Sequence, residues 1–113
     1  MTADDFREIA LAHPGAEERA HMGHPDFRAN GRVFASLQAD DRTGMVKLLP
    51  DEQAVLVRAH PKVFTPAAGA WGRQGCTMVD LARATPALVR PPMQLAYEAA
   101  AARPPAKPRR RGR

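Results

Sequence analysis

The first apolar positions, Phe6, Ile9 and Ala10, share one helical face and follow Thr2-Ala3-Asp4-Asp5. That start resembles a capping box with Asp in place of the usual Glu, so residues 3–12 are expected to form an amphipathic helix. His13-Pro14-Gly15 ends it. Residues 16–22 read as a strand. Pro25–Ala29 and Arg32–Leu37 then flank Asn30-Gly31, a pair suited to a type I′ hairpin turn because both central residues need positive φ. A two-residue turn pairs Ala29 with Arg32 and Phe27 with Phe34, and this register gives one face to Phe27, Phe34 and Arg32. It gives the other to Arg28, Val33, Ala35 and Leu37. Asp40–Gly44 is a second turn and Met45–Leu49 a third strand.

Pro50-Asp51-Glu52 places proline and acids in the first turn of a second helix, which runs through Ala54, Val55, Leu56 and Val57 to about Ala59. His60-Pro61 breaks it. Residues 63–70 are expected to be a loop, Gly72–Gly75 a turn and Cys76–Leu81 a strand. Because an interior proline costs about 3 kcal/mol, Pro91-Pro92 should separate a short turn at 86–90 from a helix at about 92–102. Hairpin-linked strands with helices at the ends predict an α+β, two-layer sandwich: an antiparallel sheet packed on helices.

At 113 residues the chain suits one domain. Its formal charge of +5 is unevenly spread. Arg103–Arg113 hold six of the seventeen basic residues and no acid, so residues 1–102 are close to neutral. The expected organisation is a domain over 1–102 and a disordered basic tail over 103–113. No apolar run approaches the roughly 20 residues of a membrane span. A single cysteine, Cys76, suits a reducing compartment, so a cytoplasmic monomer is expected.

Read in order, several stretches are distinctive together. They are His24-Pro25-Asp26-Phe27-Arg28, Asn30–Ala35, Met45–Leu48, Asp51-Glu52-Gln53 and Pro66–Thr77. In this combination the chain resembles the MmcQ/YjbR-like family over roughly residues 4–100. The resemblance implies a CyaY-like sandwich, similar to frataxin, and a DNA-binding role. Cys76 stands where the family usually has Trp, and Pro91-Pro92 interrupts what is normally a continuous last helix.

The candidate nucleic-acid surface comprises Arg32, Lys47, Trp71 and Arg73, with Phe27 or Phe34 as further stacking groups. Rings stack on bases and guanidinium groups pair with phosphate. His24 and Arg28 are candidate ligand-binding residues. The plainer reading makes the phenylalanines core and the arginines structural. Gly69, Gly72 and Gly75 lack the Lys-Ser/Thr of a P-loop and suit a turn; a phosphate nest with Arg73 is the bolder alternative. His21-x-x-His24 has no third metal ligand nearby in sequence. Asp4, Asp5, Glu8, Glu17 and Glu18 form an acidic ridge on which the frataxin likeness implies a divalent cation; the plainer and preferred reading is helix N-terminal acids and a solvated strand edge. No catalytic group or cofactor motif is legible. The leading expectation is a non-enzymatic DNA-binding module without a cofactor. The alternatives are a domain using the Trp71 loop to bind a small molecule or protein, and a frataxin-like metal binder.

Overall fold

The computed structural model describes residues 1–21 and 23–103. Residues 104–113, the greater part of the expected tail, lie outside the described residues. The elements are α1 (Ala3–Leu11), β1 (Glu17–His21), β2 (His24–Ala29), β3 (Arg32–Leu37), β4 (Thr43–Lys47), α2 (Pro50–Ala59), β5 (Phe64–Pro66), α3 (Gly69–Arg73), β6 (Cys76–Asp80) and α4 (Pro86–Ala102). All strand pairs are antiparallel, in one six-stranded sheet of order β1-β2-β3-β4-β6-β5. The α+β sandwich is the architecture expected from sequence. No helix among the described residues is long and apolar enough to cross a membrane.

Local chemistry explains most boundaries. The capping box at α1 forms: Asp5 N donates to Thr2 Oγ1 at 3.0 Å and Thr2 N donates to Asp5 Oδ2 at 2.9 Å. These bonds hold the exposed Asp5 carboxyl below its usual pKa. At α2 only half a box is possible, because Leu49 has no acceptor side chain; its N–H donates to Glu52 Oε1 at 3.0 Å. Asn30 and Gly31 take φ of 55° and 77°, as a type I′ turn requires.

The hairpin register differs from expectation beyond the turn. Ala29 pairs with Arg32, but Phe27 pairs with Ala35, because a bulge intervenes between Phe27 and Arg28. The bulge leaves Phe34 unmatched across the ladder, and both rings turn inward. Phe27 and Phe34 are 0% and 1% exposed. Phe27 packs against Phe6 and Phe34 edge-on to Tyr97. Neither ring is available for stacking, so the sequence-based face carrying Phe27 and Phe34 is corrected to core.

Residues 63–70, expected as a loop, contain β5 and the start of α3. The short strand borrows its partner from β6, with Phe64 opposite Val79, and its phenylalanine is fully buried. Such non-local pairing leaves little trace in a three-residue stretch.

The largest correction concerns α4, which is a single helix through Pro91 and Pro92. Thr85 caps it, its Oγ1 accepting from Leu88 N at 3.3 Å. The prolines forfeit the bonds that residues 91 and 92 would donate to the carbonyls of Ala87 and Leu88. Burial offsets that cost. Val89, Pro92, Met93, Ala96 and Ala100 are buried, and α4 packs on β2, β3, β4 and α1. The chain folds around this contact: Phe6 of α1 and Gly44, Val46 and Val79 of the sheet share the same core face. A Cβ on Gly44 would lie 2.6 Å from the Phe6 ring.

Two outcomes are expected in urea unfolding. Gly44→Ala should destabilise by about 1–3 kcal/mol, because the Phe6 ring is confined. Pro91→Ala should stabilise by about 2 kcal/mol, since exposed Pro91 contributes little packing and its replacement restores a helix hydrogen bond.

Candidate ligand-binding site

Alternation along the strands gives the sheet a second face, opposite α1 and α4. In register across it lie Asp26 and Ser36, Ser36 and Met45, Met45 and Met78, and Lys47 and Cys76. These side chains line a concavity of about 1310 Å³. Its shape comes from a fault in the ladder. β3 begins at Arg32, yet it pairs with β4 only across Ala35–Leu37. Beyond Lys47 the chain turns toward β6, where Leu48 N donates to Gly75 O at 3.2 Å. Arg32–Phe34 therefore have no strand partner on the β4 side among the described residues. The opening is lined by Arg32 and Val33 from one strand, Lys47, Leu48 and Leu49 from the other, and Ala96, Ala99 and Ala100 of α4.

The far wall carries Trp71. Gln53, a buried amide on α2, donates from Nε2 to Gly72 O at 3.0 Å and Cys76 O at 2.9 Å. This ties α2, α3 and β6 together. A Cβ on Gly72 would lie 1.9 Å from Ala67 O. Gly75 has φ of 111°, and a Cβ there would meet Leu48 O at 1.8 Å. These two glycines permit close backbone contact, which supersedes the phosphate-nest alternative. The single turn of α3 is thus held from behind, and Trp71 remains 65% exposed.

Of the residues singled out from sequence, His24, Arg32, Lys47 and Trp71 line this concavity. His24 Nδ1 and Arg32 Nε are buried without a hydrogen-bond partner among the described residues. Arg73 is exposed on α3 but does not line the concavity. Arg28 is committed elsewhere: its Nε and a terminal nitrogen donate to the two Asp26 oxygens at 2.9 and 3.0 Å. The fork-to-fork pairing raises the pKa of the Arg28 guanidinium and occupies the buried carboxylate. Arg28 accordingly has a structural partner where ligand binding was expected.

The acidic ridge also divides into local contacts. Asp5 caps α1, Arg7 bridges Asp4 and Glu18, and Arg19 pairs with Glu17. His21 and His24 are cross-strand neighbours at a tight turn; the side chain of His21 lies outside the described residues. Among the described residues no group of three His, Cys, Asp or Glu side chains gathers that could hold a metal ion.

Several lining residues lacked a sequence signal. Ala96, Ala99, Ala100 and Arg103 enter because the C-terminal end of α4 lies against β3 and the hairpin turn. Leu48 and Leu49 enter because β4 leaves the ladder early. Gln53 had one usable sign, a polar residue heading the apolar run Ala54–Val57.

An α+β domain with one sheet face covered by helices and the other forming a ligand-sized concavity is the class that this geometry defines. The chain belongs to the YjbR family, whose model matches residues 11–99. A search of curated proteins found no match. Among solved structures, the fold is similar to the crystal structure of Deinococcus radiodurans protein DR2400, of the DUF419 domain family, with a TM-score of 0.71. The two chains are 20% identical, and the similarity covers 87% of this chain and 77% of that one.

Cys76 provides a probe of the concavity wall. Burial pushes its thiol pKa above the ordinary 9.0, while nearby Lys47 pulls it down. The folded state thus favours the protonated thiol. The resulting stabilisation is present below the unfolded pKa near 9.0 and is lost as pH rises through the higher folded value. The alkaline fall in stability should begin near pH 9 and be shallower in Cys76→Ala than in wild type, as measured by thermal melts across pH.

Proposed function

We propose that this chain is a non-enzymatic binding module whose concavity takes a small anionic ligand with a planar apolar part. The observation that carries this reading is the pair of buried, unpartnered nitrogens on His24 and Arg32 in the wall of a mainly apolar concavity. Leaving such groups without partners costs about 1–3 kcal/mol each. An oxyanion satisfies a guanidinium with charge-assisted hydrogen bonds and offsets that cost. Ligand clefts are commonly apolar with a few polar groups that orient the occupant, and their volumes are roughly 300–1,000 Å³. This concavity is somewhat larger. Trp71 offers a flat surface on one wall, while Arg32 and Lys47 supply positive charge.

Burial of Phe27 and Phe34 weakens the case for a broad DNA-stacking platform. A second reading, binding of single-stranded nucleic acid, draws on one specific feature. Trp71 and Arg73 are both exposed on the single turn of α3, so a base would stack on Trp71 at the concavity wall and a phosphate would meet Arg73 outside it. We place the protein in the cytoplasm, a reading supported by its single, buried thiol, and read it as a monomer.

The test is a titration with 1-naphthyl phosphate, followed through Trp71, the single tryptophan. Saturable quenching is expected, and Arg32→Gln and Lys47→Gln should each weaken binding by about tenfold. Quenching that does not saturate, or that is unchanged in both variants, overturns the concavity reading. Labelled single-stranded DNA whose binding falls in Arg73→Ala, but not in Arg32→Gln, would support the second reading instead.

A further inference from the structure

The two unpartnered nitrogens of the concavity are far apart. His24 opens β2, whereas Arg32 opens β3 and pairs with Ala29, the last residue of β2. The steps from residue 24 to residue 29 span about 16 Å of strand at ~3.3 Å each. The two also differ in face. Ala29 belongs to the core, so its cross-strand partner Arg32 lies toward the helices, at the opening beside Ala96 and Ala100. His24 alternates with Asp26 on the opposite face. One carboxylate or phosphate cannot satisfy both nitrogens, because each hydrogen bond reaches only about 2.9 Å.

The surroundings of the two ends differ as well. Val46 pairs with Ala35, so Lys47 continues toward the start of β3 and adds a second cation at the Arg32 end. Neither Arg32 nor Lys47 has an ion-pair partner among the described residues. Near His24 the one lining carboxylate, Asp26, is occupied by Arg28, and Gln38 contributes an uncharged amide to the lining. Between the ends, Met45 and Met78 face each other across β4 and β6 and line the floor. Thioether side chains adapt to varied apolar surfaces. At about 1310 Å³ the concavity exceeds the roughly 300–1,000 Å³ usual for small ligands, which fits a long occupant.

We infer that the concavity holds a rod-shaped ligand by both ends: an anionic group at Arg32 and Lys47, an uncharged hydrogen-bonding group at His24, and a planar apolar stretch over Met45 and Met78 between them. This rests on the ligand-binding reading above and adds the length and the second end of the ligand. A short anion leaves the His24 nitrogen buried and unpartnered, which costs binding energy that a longer ligand recovers. His24 Nδ1 donates or accepts according to the ring tautomer, and a terminal carboxamide suits either because it offers both a donor and an acceptor.

Two pairs of phosphate esters separate length from chemistry. The long pair is 4-biphenylyl phosphate with and without a carboxamide at the far ring end; the short pair is phenyl phosphate with and without a carboxamide at the para position. Calorimetry on the full chain gives the affinities, for wild type, His24→Phe and Arg32→Gln. The phenylalanine keeps a ring but removes both nitrogens. In wild type the carboxamide should raise the affinity of the long ester about tenfold, the scale of one hydrogen bond to a buried group, and leave the short ester unchanged. His24→Phe should abolish that gain with binding of plain 4-biphenylyl phosphate and the melting temperature unaltered. Arg32→Gln should weaken both long esters by the same factor, because it acts at the other end. No gain in the long ester, or an equal gain in the short one, overturns the two-ended site; the concavity reading survives if 1-naphthyl phosphate still binds saturably. If neither 1-naphthyl phosphate nor either long ester binds, the concavity reading fails and takes this inference with it. A gain retained in His24→Phe overturns the role of His24. Should His24→Phe fail to fold, the comparison of long and short esters in wild type decides alone.

Discussion

Helix α4 buries Val89, Met93, Ala96 and Ala100 against β2, β3, β4 and α1, and that contact sets what the rest of the molecule can do. The helix is intrinsically handicapped by two adjacent prolines, which would disfavour it in isolation. It persists because one of them, Pro92, is itself buried and because the alanines beyond let the helix lie close to the sheet. With α4 unbroken, one face of the sheet is closed and the other open. The same helix reaches far enough to set its C-terminus beside the hairpin turn, where Asn30 accommodates both the turn and the helix end.

The concavity follows from incomplete pairing combined with this coverage. A fully paired β3–β4 ladder would have given a continuous sheet surface. Instead only three residues of β3 pair with β4, and the gap exposes apolar side chains and small residues of α4 below the strand ends. Opposite the gap, Gln53 and the close approaches at Gly72 and Gly75 hold Trp71 outward. An exposed tryptophan on a braced turn differs from one on a mobile loop, because less conformational freedom remains to be lost on binding.

The polar groups divide into those already satisfied and those still able to accept a partner. Asp26 and Arg28, the α1 acids and Gln53 are engaged within the protein. His24 and Arg32 retain buried nitrogens without partners among the described residues. This division, more than the number of basic residues, distinguishes the candidate site from ordinary surface. It also explains why Arg28 and Arg32, only four positions apart, have different prospects: Arg28 lies two residues along its own strand from the Asp26 carboxylate, while Arg32 sits at the open end of β3.

The sequence by itself determined the local elements and their broad class. Thr2 and Asp5 specify a helix start, Asn30-Gly31 specifies a hairpin, and Pro50-Asp51-Glu52 begins another helix, because each acts through backbone geometry within a few residues. The ordered motifs also pointed to the family. His24, Arg32, Lys47 and Trp71 could be singled out from their chemistry, but not their meeting in one concavity. Only the tertiary structure decided that Phe27 and Phe34 are core, that α4 runs through its prolines and that β3 parts from β4. Each depends on residues distant in sequence, such as Phe6 against Phe27 or Asn30 against Ala101, whose packing overrides local preference only once the chain has folded.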